Sequence, residues 1–514
     1  MIYRSRYPDP VIPRVSLPDY VLAAAAGESS RPALIDGMTG ETLTYGDLLR
    51  LVPAVAQSLV AISIRPGDVV ALISPNRPAW PVAFYGALAA GATITALNPQ
   101  LRQREVIHQL RESRAVALIA DASTMAVAQA AGDEVAIPVL DLTMLCDAAA
   151  ATDEGKVPST NPESDVAVLA YSGGTTGLPK GVLLTHRNLV ACLCQHEAVY
   201  HVDSNDVFLA ALPFFHIYGM SIILGYGLRH GVTIVTMQRF DADRYLTLIG
   251  ERQVTRLHMA PPLAAVVAAA DPAFDLTSVR HAMSGAAPLG AATVTRLEER
   301  LKCPIGQGYG MTEASPGITW VPDDAAGAPA GSVGHLLPGT QARVVDPESL
   351  RDAPAPGELW IRGPQVMSGY LDDATATGAA IVDGDWLRTG DAVRIDESGI
   401  VWIVDRLKEI IKYKGYQIAP AELEAVLLEH PLVADAGVIG VPDAVAGEIP
   451  KAFVVRTDAA LTDDALIAWC AERVAPYKRP RAVQFVESIP RSTSGKVLRR
   501  LLREGTTDDR ILQR

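Results

Sequence analysis

The sequence predicts an α/β protein with a large N-terminal region of several subdomains and a small α+β unit at its C-terminal end. Three observations carry that expectation. Helix-period and strand-like apolar runs alternate from Thr44 onward, the pattern of layered sheets with crossover helices. The polar stretch TDEGKVPSTNPESD, residues 152–165, separates one alternating block from the next. After WIVDRLKEI, residues 402–410, the pattern changes to short strands and two modest helices.

Thr44 caps the predicted helix YGDLLRLVPAVAQSLV, with Pro53 in its middle. GDVVALIS, residues 67–74, reads as a strand, PAWPVAFYGALAAG as a helix, and TITALNP as another strand. VAVLAYS (166–172), a glycine loop and VLLTH (182–186) read as strand, loop and strand, and α/β alternation is expected to continue to Ile400. Val207 to Leu228 spans 22 residues without Asp, Glu, Lys or Arg, but Pro213, Gly219, Gly225 and Gly227 favour a buried strand-turn-helix over a membrane span. Beyond Ala421 a helix places Leu423, Val426 and Leu427 on one face. AGVIGV and KAFVVR then read as strands, and Thr462 caps a helix reaching Cys470. The expected division is residues 1–404 and 405–514, with a hinge between Asp405 and Lys408.

The 514 residues carry a net charge of −13, which disfavours nucleic-acid binding and points to small-molecule chemistry. Cys146, Cys192, Cys194, Cys303 and Cys470 are scattered without metal-type spacing and read as reduced thiols. The opening MIYRSRYPDP lacks an apolar core of signal-peptide length and the chain ends ILQR, so a cytoplasmic location is expected.

YSGGTTGLPKG, residues 171–181, gathers four glycines, three aliphatic hydroxyls and one lysine into eleven positions, a composition suited to cradling phosphate. It is not a Walker loop, because Lys180 lies between Pro179 and Gly181 and the segment joins two strands. With LPFFHIYG (212–219), SGAAP (284–288), QGYGMTEA (307–314), GELWIRG (357–363), WLRTGD (386–391), DRLKEIIKYKGYQIAPAELE (405–424) and PRSTSGKVLRR (490–500), the chain resembles the adenylate-forming superfamily. The 4-coumarate–CoA ligase-like branch is the most similar.

That resemblance implies an ATP-dependent carboxylate–CoA ligase: an acid is adenylated with release of pyrophosphate, and the acyl group then passes to CoA with release of AMP. It implies that Ser172, Gly173, Gly174, Thr175, Thr176 and Lys180 hold the ATP phosphates, and that Gly285, Ala286, Ala287, Gln307, Gly308 and Tyr309 bracket the adenine. Thr312 is expected at the α-phosphate, Glu313 with Thr176 at Mg²⁺, and Asp391 with Arg406 at the ribose. Lys496 is the expected adenylation lysine. Lys412, Lys414 and Gly415 are expected at the thioester-forming site, Lys408 at the hinge and Arg239 at CoA.

His216, Tyr218, Ile222, Gly308, Pro316 and Gly317 are expected to line the acyl pocket. Gly317, where hydroxycinnamate ligases often carry Val, is expected to widen it, and Ile222 to make it more apolar. Hydroxycinnamate, another aryl acid and a fatty acid all stay open as substrates, and monomer and homodimer as assemblies. If IKYKGYQI runs as one strand, Lys412 and Lys414 share a face with Gln417 opposite, unless a turn at Gly415 intervenes. Two other functions are compatible: an adenylating enzyme that loads a carrier protein, and a non-catalytic adenylate-binding protein.

Overall fold

The structure is a computed structural model that describes all residues except 150–157, 173–179, 324–328, 330, 354–355, 415, 444–445, 493–494 and 506–514. Among the described residues the strands form seven-, nine-, six- and five-stranded sheets.

The seven-stranded sheet is parallel through Val69–Ile73, Thr93–Leu97, Ala115–Ala120 and Val139–Asp141. Val166–Ser172 extends it in parallel, and Lys180–Thr185 returns antiparallel with Ser172 opposite Lys180. The glycine loop, residues 173–179, lies between those two strands and outside the described residues.

The helix Tyr45–Ala61 starts as the sequence predicts. Asp47 N–H donates to Thr44 Oγ1 at 3.1 Å, and Thr44 N–H donates back to Asp47 Oδ2 at 3.0 Å. It packs closely on Ala79–Ala89, where a β-carbon at Gly86 would lie 2.4 Å from Val55 Cγ1. The apolar stretch from Val207 resolves into the strand Val207–Ala210 and a buried π-helix Gly219–Tyr226. No helix among the described residues is long and apolar enough to cross a membrane.

The nine-stranded sheet carries Arg256–Met259, His281–Ser284 and Ile305–Gly310 side by side in parallel. Their C-terminal ends bring the SGAAP and QGYGMTEA segments together, the edge where α/β sheets place ligands. From His335 the expected alternation fails: Gln341–Val345, Gly357–Arg362, Trp386–Ile395 and Val401–Arg406 pair antiparallel in the six-stranded sheet. Antiparallel neighbours need only short turns and not crossover helices.

Val401–Arg406 still belongs to that sheet, and Ile411–Tyr413 begins the five-stranded one. The chain therefore changes sheets across residues 407–410, just past the expected boundary at Asp405. The five-stranded sheet has its own core, with Leu423 and Leu427 of the helix Pro420–Leu428 against Val438, Val454, Leu466 and Cys470. Its first hairpin corrects the single-strand reading of IKYKGYQI. Lys412 and Gln417 are opposed in register across Ile411–Tyr413 and Tyr416–Ile418, so these two positions share a face. Lys414 leaves the strand with φ +50°.

Candidate active site

Strand pairing assembles the middle of the site. Asp391 and Arg406 are register partners, and Arg406 Nε stands 3.2 Å from Asp391 Oδ1. Tyr309 OH donates to Asp391 Oδ2 at 2.5 Å. Burial, reinforced by Asp391, raises the Tyr309 pKa far above the usual phenol range, so this hydroxyl stays a donor. Burial opposes the charge on Arg406, but Asp391, Tyr309 and Glu313 outweigh it and raise its pKa.

Thr312 and Glu313 open the short 3₁₀ turn Thr312–Ala314. Thr312 is half-buried. Glu313 is buried and accepts from Tyr370 OH at 3.0 Å. The Tyr370 ring also carries Lys180, whose Nζ lies 5.2 Å from the ring centroid and 3.2 Å from Asp373 Oδ2. Tyr370 thereby joins the phosphate-loop lysine to the Glu313 carboxylate, a bridge no motif disclosed. Its only signal in the sequence is the GYLDD run that follows the GELWIRG segment.

His216 is half-buried. Tyr218 N–H donates to its Nδ1 at 3.3 Å, so in the neutral ring Nε2 carries the proton. Burial, with Lys496 adding to it, lowers the His216 pKa to about 4. The loop that carries His216 is held by Asn76, also missed by motif reading. Asn76 Nδ2 donates to the carbonyls of Ala210 and Leu212 at 2.9 Å each, and its Oδ1 accepts from Phe214 N–H at 2.8 Å. Gly219 closes that loop, since a β-carbon there would lie 2.2 Å from the Pro213 carbonyl oxygen.

Lys496 is linked to this cluster electrostatically. As a residue it keeps exposed surface, yet burial of its ammonium lowers its pKa, Arg406 adds to that, and Asp391 and Glu313 oppose it. The loop beneath it is docked: at Gly495, with φ +82°, a β-carbon would lie 2.8 Å from Pro262 Cδ and 3.6 Å from Ala260 Cβ. Lys412, by contrast, is exposed on its hairpin, where its backbone N–H donates to Glu448 at 2.8 Å. Lys414 is exposed as well. Lys408 is exposed on the turn at 407–409 and Arg239 on the loop after Thr233–Thr236, and neither forms an ion pair among the described residues.

Among the residues expected at the adenine, Ala286 has φ +71° and Gly285 N–H donates to the Met259 carbonyl at 3.0 Å. A non-glycine residue in left-handed geometry is a strained feature characteristic of functional turns. Gln307 faces this turn as a brace, its Oε1 accepting from Leu289 N–H at 3.2 Å. Gly173, Gly174, Thr175, Thr176 and Gly415 lie outside the described residues, as does the side chain of Ser172.

Of the residues expected at the acyl pocket, Tyr218 and Ile222 are buried at the start of the π-helix and within it, and Pro316 is buried just before the strand Gly317–Trp320. The widening expected from Gly317 does not occur. A β-carbon there would stand 2.5 Å from His196 Cε1 and 2.6 Å from Leu337 Cδ1, so those side chains already fill the room.

The donor set suits a hard cation in one way only. Glu313 offers a buried carboxylate, and no group of three or more His, Cys, Asp or Glu that could hold a metal occurs among the described residues. One carboxylate completed by phosphate oxygens is the arrangement Mg²⁺ favours.

Comparison with known proteins extends these observations over the whole chain. The pattern of the AMP-binding enzyme family matches residues 21–371, and that of the AMP-binding enzyme C-terminal domain matches residues 422–496. The 4-coumarate–CoA ligase of Vanilla planifolia is 40% identical over 98% of this chain and 96% of its own length. The crystal structure of ATP-bound MatB from Rhodopseudomonas palustris is 28% identical and superposes with TM-score 0.89 over 97% of this chain and 100% of that one. The apo structure of the same protein, 29% identical with the same coverage, scores 0.79. Motif order, site geometry and a family match across both regions agree: the chain belongs to the family of AMP-binding, adenylate-forming enzymes.

Proposed function

We propose that the protein is an AMP-forming acid–thiol ligase that converts a carboxylic acid, ATP and CoA into an acyl-CoA, AMP and pyrophosphate. One observation supports this reading: the Gly495 turn next to Lys496 is docked on Pro262 and Ala260, and Lys496 feels the charges of Arg406, Asp391 and Glu313. That is the arrangement the adenylation half-reaction needs. The ligase name of a relative 40% identical over nearly the full length supports it.

In the first half-reaction a carboxylate oxygen attacks the α-phosphorus of ATP in line, and the bond to the bridging oxygen breaks as pyrophosphate leaves. His216 donates its Nε2 proton as a hydrogen bond to the carboxylate and fixes its direction. Lys496 and Thr312 meet the charge that develops on the α-phosphoryl oxygens. Asp391 and Arg406 hold the ribose, Gly285 to Ala287 with Tyr309 enclose the adenine, and Lys180 leaves Asp373 for the terminal phosphates. Mg²⁺, held by Glu313 and phosphate oxygens, would neutralise charge on the departing pyrophosphate.

In the second half-reaction the CoA thiol gives up its proton to solvent as its sulfur attacks the acyl carbon, the acyl–oxygen bond to AMP breaks, and AMP carries away the electron pair. Lys412 is exposed on its hairpin with its backbone N–H on Glu448, whereas Lys496 is the lysine that feels the charges of Arg406, Asp391 and Glu313. The two functions therefore require residues 405–514 to turn about the segment 405–408. The closer superposition on ATP-bound than on apo MatB supports an adenylation arrangement here. One chain supplies every group named, so a monomer suffices, and the free cysteines are in keeping with a cytoplasmic location.

The half-reactions separate in experiment. Lys496→Ala is expected to lower acid-dependent pyrophosphate release about 10²- to 10³-fold while retaining thioester formation from supplied acyl-adenylate. Lys412→Ala is expected to show the converse. Equal loss of both halves in either variant contradicts the assignment, and adenylation that ignores CoA but responds to a carrier protein moves the acceptor to that protein.

A further inference from the structure

The PRSTSGKVLRR segment, residues 490–500, carries more charge than the ligase reading uses. Lys496 has a task in it, whereas Arg491 has none. The loop between them is closed on itself. Arg491 bridges Val497 in antiparallel register, and Leu498 N–H donates to the Pro490 carbonyl at 2.8 Å. Inside that closure Ser492 N–H donates to the Lys496 carbonyl and Gly495 N–H to the Ser492 carbonyl, both at 2.8 Å, and Lys496 N–H donates to Ser492 Oγ at 3.1 Å. These bonds set the shape of the loop. They leave open how it is directed from the five-stranded sheet that carries it.

Arg491 supplies that direction. Its Nε and Nη2 donate to Asp435 Oδ2 and Oδ1 at 3.1 and 2.6 Å, and its Nη1 donates to the Gly495 carbonyl at 2.8 Å. Asp435 lies on the strand Val433–Asp443, at a register shift in its pairing with Gly447–Arg456, and an irregularity of this kind re-aims a side chain. Asp435 Oδ1 also accepts from Ala436 N–H at 2.8 Å. The paired bonds to the carboxylate fix the plane of the guanidinium, and that plane fixes the Gly495 carbonyl. Gly495 immediately precedes Lys496 and is the residue that packs on Pro262 and Ala260. The sheet thus reaches the lysine through one carboxylate, one guanidinium and one carbonyl. A lysine in place of Arg491 would offer a point charge without the fork that serves both partners at once.

We infer that Arg491 and Asp435 are positioning residues for adenylation, which hold the backbone at Gly495 so that the Lys496 ammonium meets the charge developing on the α-phosphoryl oxygens. The inference rests on the ligase reading above and deepens it by naming the groups that act through Lys496. Neither residue touches the reacting atoms. A misplacement of about 1 Å at a reacting group costs up to about 10²-fold in rate, so a clamp on the neighbouring carbonyl is felt in the chemistry. Thioester formation uses Lys412 instead, and the clamp therefore serves one half-reaction only.

The test follows the two half-reactions separately in the wild type, Arg491→Ala, Arg491→Lys, Lys496→Ala and the Arg491→Ala, Lys496→Ala double variant. Pyrophosphate release from Mg-ATP reads the first, with whichever of 4-coumarate, benzoate and octanoate the wild type turns over fastest, and acyl-CoA formation from the supplied adenylate of that acid reads the second. Arg491→Ala is expected to lower the kcat of pyrophosphate release about tenfold or more and to leave acyl-CoA formation within about twofold of the wild type. Arg491→Lys is expected to fall between the two. Because Arg491 acts through Lys496, its substitution is expected to add less than about twofold once Lys496 is alanine. Undiminished pyrophosphate release in Arg491→Ala, an equal loss of both half-reactions, or a full tenfold loss added to that of Lys496→Ala overturns the positioning role and leaves the ligase reading standing. Should Arg491→Ala not fold, Arg491→Lys decides, a loss confined to pyrophosphate release upholding the role and any other result overturning it. Wild-type release by Lys496→Ala, or no turnover of any acid by the wild type, overturns the ligase reading of this site and the inference with it.

Discussion

Tyr370 shows how much of the site depends on single hydrogen bonds between distant parts of the chain. Its hydroxyl fixes Glu313 and its ring supports Lys180, so it orients both groups expected to meet the phosphates and Mg²⁺. A hydrogen bond to a charged group contributes about 1.5–3 kcal/mol. Tyr370→Phe is accordingly expected to raise the KM for Mg-ATP about tenfold or more while the KM for the acid stays near its wild-type value, as initial-rate kinetics will read. An equal rise in both constants contradicts this role. Asp391, Arg406, Glu313 and Lys496 could be singled out in the sequence because each sits in a motif of the family the chain resembles. Tyr370 and Asn76 were not, because their partners lie 57 and 134 to 138 residues away and only the fold joins them. Gly317 was misjudged for a related reason: a missing side chain is read as space, yet the space belongs to His196 and Leu337.

At the scale of elements, the loop that presents His216 is secured by one side chain on another sheet's connection. Asn76→Ala leaves the Ala210 and Leu212 carbonyls and the Phe214 N–H without their partner in a buried setting. Each such loss costs about 1–3 kcal/mol, and partial relaxation brings the expected total to about 3 kcal/mol, measurable as a lower urea midpoint with unchanged slope. The acid KM should rise in the same variant as His216 loses its orientation. Helices and parallel strands of the first half were legible because capping residues and apolar runs mark them, as Thr44 and Asp47 do. The antiparallel stretch after His335 was not, because strands joined by tight turns leave no helical periodicity to count. The hairpin of Lys412 and Gln417 turned on a single φ at Lys414, which a strand pattern does not reveal.

For the whole molecule, burial sets an acid limit. Burial holds the pKa of His186 and His196 at about 4 and that of His258 at about 3, against about 6.5 in an unfolded chain. The unfolded state therefore binds more protons below pH 6.5. The stability these neutral rings permit is complete above that pH and is lost as pH falls towards 4. Urea unfolding should show a loss on the order of several kcal/mol between pH 7.5 and pH 5, and a pH-independent midpoint would contradict the buried neutral state. The largest claim concerns the two regions, between whose sheets the chain crosses at residues 407–410. If residues 405–514 must turn between half-reactions, fastening them in the present arrangement must separate those reactions. A β-carbon at Gly495 would stand 3.6 Å from Ala260 Cβ, within the span of a disulfide, and 2.8 Å from Pro262 Cδ, so the pair is made with Pro262→Ala to clear that contact. The decisive measurement is product analysis of the oxidised Gly495→Cys, Ala260→Cys, Pro262→Ala triple variant with acid, Mg-ATP and CoA. The account predicts acyl-adenylate without acyl-CoA until a reductant restores thioester formation, whereas acyl-CoA formed at the same rate by the oxidised and reduced enzyme would contradict it.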